Sequence, residues 1–176
     1  MTSTALRRAS ALIVAAGFAA AQMSPPAKAS LTAGGKTISI QYSAPSVRGR
    51  RIFGAGGVVS RDGTYPVWRA GANDATAFHT DADLDVGGLN VPKGDYTLFV
   101  LVKDPDAWEL IINKQTHQWG LNYDPAQDLG RVKMAMSKPA APIETLKYTL
   151  SKADGKEVRL QLEWESHIAS VLIKVR

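Results

Sequence analysis

Alternation of apolar and polar residues at every second position constrains this chain more than any other feature. Residues 36–42, KTISIQY, set Ile38, Ile40 and Tyr42 on one side and Thr37, Ser39 and Gln41 on the other. Residues 158–164, VRLQLEW, repeat the pattern with Val158, Leu160, Leu162 and Trp164 against Arg159, Gln161 and Glu163. Residues 131–137, RVKMAMS, do the same with Val132, Met134 and Met136. Successive side chains of a strand point to opposite faces, so these runs read as strands with one wet face. Residues 96–102, YTLFVLV, are apolar throughout, as a strand covered on both faces would be. WELIIN (108–113) and ASVLIKV (169–175) complete the set.

Turn chemistry separates these runs at Gly34-Gly35, Asp62-Gly63, Gly87-Gly88, Lys93-Gly94 and Asp154-Gly155. The last lies between ETLKYTL and VRLQLEW and predicts a hairpin. Beyond the first residues no window keeps a helical period, and DPAQDLG (124–130) offers at most one helical turn. About ten short strands at close spacing predict an all-β fold, a single-domain antiparallel β-sandwich or jelly roll over residues 22–176.

The first residues are of another kind. MTSTALRR carries Arg7 and Arg8, and an uncharged apolar run, ASALIVAAGFAAA, follows it. This is the pattern of a signal peptide, apolar on every face and too short to span a bilayer comfortably. Small residues allow cleavage after Ala21 or after Ala29, and the expectation is a leader of residues 1–21. It implies a periplasmic or secreted protein with no transmembrane segment after cleavage.

Loss of the leader takes two cations from a formal net charge of +5, which leaves about +3. The remaining cations are interspersed with acids except at VRGRR (47–51), which reads as a solvated loop, and no nucleic-acid partner is expected. The chain has no cysteine, which excludes thiol catalysis and thiolate metal sites. Asp81, Asp83 and Asp85 alternate, but a calcium loop starting at Asp81 would need Gly and Glu where Val86 and Pro92 stand. His79, His117 and His167 lack zinc spacing, so neither a metal nor a cofactor is expected.

Two stretches carry unusual chemistry. In VWRAGANDATAFHT (67–80), Trp68 and Arg69 are neighbours and must face opposite ways if the backbone is extended. Trp68 is the expected core anchor. Arg69 and Asn73 are either donors for an anionic or polyhydroxylated ligand, or a tether and a left-handed turn residue at a corner. In NKQTHQWG (113–120), Lys114, Gln118 and Trp119 offer a cation, an amide and an aromatic platform, or else an ordered loop whose Trp119 caps the sandwich end. The candidate ligand-binding residues are therefore Arg69, Asn73, Lys114, Gln118 and Trp119.

These stretches, together with SPPAKASLTAGGKTISIQYSAPSVRGRRIFG and YDPAQDLGRVKM in the same order, resemble a bacterial family called domain of unknown function 2911. The resemblance runs from Ser24 to Val175. It implies a domain starting at residues 24–26, which favours cleavage after Ala21, and it brings no assigned activity. The family usually has Thr where this chain has His79, so the resemblance gives His79 no shared catalytic role.

Three functions fit the sequence. The preferred one is an exported, non-enzymatic β-sandwich that binds a polar small molecule or glycan. A hydrolase would use Asp124 or Asp128, with Arg69 and Lys114 stabilising charge. Ser46, Ser60 and Ser137 lie in no nucleophile elbow, and Asp124 and Asp128 are also placed to cap the turn at DPAQD. The third function is a structural role in the cell envelope.

Overall fold

The computed structural model describes residues 23–155 and 157–176, and the expected leader, residues 1–21, lies outside them. Among the described residues thirteen strands form two sheets, and every pairing is antiparallel. The first sheet runs β1 (Pro26–Ala33), β2 (Lys36–Ser43), β4 (Ala72–Thr80), β7 (Gly94–Asp104), β8 (Ala107–Asn113) and β9 (Asp128–Lys133), with the short β3 (Val67–Trp68) also on β7. The second runs β11 (Ile143–Lys152), β12 (Glu157–Glu165), β13 (His167–Val175), β5 (Leu84–Val86) and β6 (Leu89–Val91), with β10 (Ala135–Ser137) also on β13. The fold is an all-β antiparallel sandwich. Among the described residues helix is confined to two 3-10 turns, Val59–Arg61 and Pro125–Gln127, the second within the DPAQD segment.

The core follows the alternation. Ile38, Ile40 and Tyr42 of β2 meet Leu160, Leu162 and Trp164 of β12 in one buried cluster. Burying such side chains contributes roughly 25 cal/mol per Å² of apolar surface. The Asp154-Gly155 hairpin forms, pairing Lys152 with Val158. RVKMAMS does not stay one strand: β9 pairs with β8 in the first sheet, while β10 pairs with β13 in the second. Met134, between them, donates its N–H to the Trp108 carbonyl at 2.9 Å. Alternation fixes which face each residue takes and is blind to which sheet carries it.

YTLFVLV is covered on both faces by different means. Leu98 and Val100 enter the main core, and Phe99 joins a second cluster with Val67 and Ile111 on the outer face. The segment between β8 and β9 lies across that face. The Thr97 hydroxyl donates to the Gln115 carbonyl at 2.7 Å, and the Tyr123 ring meets Phe99 edge-on at 5.0 Å.

Candidate functional site

At β3 the alternation fixes the directions expected for the first stretch. Val67 belongs to the outer cluster, while Trp68 points inward, 1% exposed, and stacks on Trp164 at 5.7 Å. The chain then turns through left-handed residues, Ala70 at φ 49° and Asn73 at φ 60°. The corner is tied from both sides. The Thr76 hydroxyl donates to the Arg69 and Ala70 carbonyls at 3.1 and 3.2 Å, and the Tyr148 hydroxyl donates to Ala70 at 3.0 Å.

Arg69 emerges from this corner into a sheltered position. Its Nη1 donates to the Asn73 carbonyl at 3.4 Å, and Nη2 lies 3.7 Å from Asp62 Oδ1. The guanidinium carbon lies 5.7 Å from the centre of the Trp119 ring, within cation–π range. Arg69 Nε is buried and has no hydrogen-bond partner among the described residues. Burial pushes the Asp62 carboxyl above the ordinary carboxylate value, with Arg69 pulling it the other way. A pocket of ≈ 150 Å³ opens here, lined among others by Arg50, Asp62, Trp68, Arg69 and Trp164.

The second stretch reaches the same place through backbone pairing. The Ala75 N–H donates to the Gln118 carbonyl and the Gly120 N–H to the Asn73 carbonyl, both at 3.1 Å. Asp74 and Trp119 thereby form an isolated β-bridge. Gly120 is required by close approach: a Cβ there would lie 2.4 Å from Arg69 Cδ and 2.6 Å from the Asn73 carbonyl oxygen.

Arg69, Asn73 and Trp119 therefore meet. The Asn73 side-chain amide is engaged by Ser43 Oγ at 3.3 Å, so at this site the residue acts mainly through its backbone. Gln118 turns the other way and donates to Thr97 Oγ1 at 3.2 Å. Lys114 is exposed on the same loop, and its N–H donates to the Gln127 carbonyl at 2.8 Å. Among the described residues its side chain makes no hydrogen bond to the other four candidates.

The acids weighed for hydrolysis hold the loop. Asp124 accepts from the Ala126 N–H at 2.9 Å, capping the 3-10 turn. Asp128 accepts from Asn113 Nδ2 at 2.9 Å, from the Tyr123 hydroxyl at 2.7 Å and from Arg131 at 3.1 Å. Burial and then this carboxylate push the Tyr123 phenol up to about 12.

One constellation went unread in the sequence. His79 Nδ1 lies 2.7 Å from Asp95 and Nε2 lies 3.0 Å from Asp81, on the outer face beside a pocket of ≈ 180 Å³ that His117 also lines. Hydrogen bonds to Asp95 and then Asp81 raise the imidazole above its ordinary value. The signal for Asp81 was its i+2 spacing from His79, whereas Asp95 joins only through the pairing of β4 with β7. Asp83 and Asp85 secure turns, accepting from the Lys93 and Gly88 N–H groups. No group of three potential metal ligands occurs among the described residues. Arg50 and Arg51 of the basic knot donate to carbonyls of their own loop.

No helix among the described residues is long and apolar enough to cross a membrane. No curated protein and no solved structure matches the chain. The family described as Protein of unknown function (DUF2911) matches residues 24–173, and the chain belongs to it.

Proposed function

We propose that this protein is an exported, non-enzymatic β-sandwich that binds a polar small molecule or glycan where Arg69 and Trp119 meet. One observation carries the reading: Trp119, 47% exposed, lies against the guanidinium of Arg69, which itself lines a pocket. An aromatic face next to a fixed fork of N–H donors suits sugar rings and their hydroxyl or carboxylate groups. Binding is placed ahead of hydrolysis because Asp124 and Asp128 already accept the bonds that shape the loop. Export fits a leader cut after Ala21, which spares β1, whereas a cut after Ala29 would remove half of that strand.

The test uses an internal reporter. Of the four tryptophans, Trp68, Trp108 and Trp164 are buried, leaving Trp119 as the exposed one. A panel of neutral and uronate-containing oligosaccharides is titrated while tryptophan fluorescence is followed. At least one member should change the emission saturably, and Trp119→Phe should abolish that change while leaving the thermal midpoint in place. A panel with no response, or a response that persists in Trp119→Phe, would refute the reading.

A further inference from the structure

A cavity of ≈ 520 Å³ lies at the other end of the sandwich, and no motif in the sequence announced it. It forms where the β1–β2 turn, the β11–β12 turn and the end of β13 come together, bringing Lys36, Lys152 and Arg176 to one wall-and-rim arrangement. Ala33, Val158 and Val175 supply apolar lining. Lysine stems add to such a surface while their ammonium groups stay at the rim.

Its charge is one-sided. Among the described residues, Lys36 and Lys152 have no carboxylate partner. Arg176 is held in place by Asp85 at 3.1 Å and by Asn90 at 3.1 Å. Glu157, the acid in the lining, lies 3.6 Å from Lys174 and is offset by it. Two unpaired cations therefore border a partly apolar space, within the usual size range of small-molecule sites.

We propose that this cavity binds an anionic amphiphile, with a carboxylate or phosphate head at Lys36 and Lys152 and an aliphatic body over Ala33, Val158 and Val175. The volume exceeds what a bare anion needs, and the lining gives a hydrocarbon somewhere to leave water. The occupant is the free amphiphile rather than a headgroup in a bilayer, because the cations and the apolar lining belong to one cavity. This site is independent of the Arg69–Trp119 reading.

The experiment is calorimetric titration of the purified protein with dodecanoate and dodecyl phosphate below their micellar concentrations, with inorganic phosphate, and with vesicles of anionic phospholipid. One molecule of either amphiphile should bind per chain, and inorganic phosphate should bind at least about tenfold more weakly. The double variant Lys36→Gln, Lys152→Gln should lose about tenfold or more in amphiphile affinity with an unchanged circular dichroism spectrum. Absence of amphiphile binding, inorganic phosphate binding as tightly, binding to vesicles alone, or a folded double variant with undiminished affinity would each overturn the proposal.

Discussion

At one end of the sandwich, segments distant in sequence interlock: Asp62, Arg69, Asn73 and Trp119 meet through a bridge, a guanidinium and paired backbone groups. At the other end, short glycine turns leave an open cavity whose lysines have no carboxylate partners among the described residues. The first end fixes its polar groups before any ligand arrives, as geometric selectivity requires. The second offers volume and charge with little orientation, which suits recognition by class. The same fold thus presents a built corner and a loosely defined mouth, and the two should respond differently to substitution.

Trp68→Ala should show the largest effect. Its ring is buried and stacked on Trp164, and its loss should cost about 3–5 kcal/mol in urea denaturation. A cost below about 1 kcal/mol would mean that the packed end is not packed. Gly120→Ala comes next, at about 1–3 kcal/mol, because the new methyl group meets Arg69 and the Asn73 carbonyl. Its measured cost shows how rigid the corner is.

Two histidines extend the comparison to pH. His167, near the packed end, stacks on Trp108 at 5.0 Å, and burial holds its imidazole below the ordinary value of 6.5. The unfolded chain then binds more protons, so stability should fall as pH drops below 6.5 toward the lower folded value. His79, toward the open end, is raised by Asp95 and Asp81. Its contribution is complete below 6.5 and is lost as pH rises through the higher folded value, and its exposure keeps that contribution small. Urea titrations across about pH 5 to 8 should show His167→Gln flattening the acid side and His79→Gln slightly flattening the neutral side. The smallest effect is expected at Lys36→Gln, within about 0.5 kcal/mol of the parent by urea denaturation.

Much of the fold was legible because a buried face leaves a period of two in the sequence. Trp68 is the buried core anchor that was expected, and the Asp154-Gly155 turn closed its hairpin. The sheet switch at Met134 was not legible, since alternation continues across it while the pairing partner changes. The candidate site was legible in part. Arg69, Asn73 and Trp119 stood out as costly residue types, and their meeting is carried by backbone bonds to Gln118 and Gly120 that side-chain chemistry does not encode. Gln118 shared the same outward appearance, yet it serves Thr97. The lysine-lined cavity was illegible because its parts come from two turns and the end of β13, each unremarkable alone.

The central claim is that the Arg69–Trp119 end is built to meet a ligand rather than merely to turn the chain. Urea denaturation of Arg69→Ala beside Trp68→Ala, paired with the oligosaccharide fluorescence titration, tests it most directly. Among the described residues Arg69 makes one long hydrogen bond, one long ion pair and a cation–π contact with Trp119, so its removal should cost no more than about 2 kcal/mol while abolishing the saturable fluorescence change. Destabilisation as severe as that of Trp68→Ala, or an intact fluorescence response in a folded Arg69→Ala protein, would contradict the account and make the stretch a structural corner.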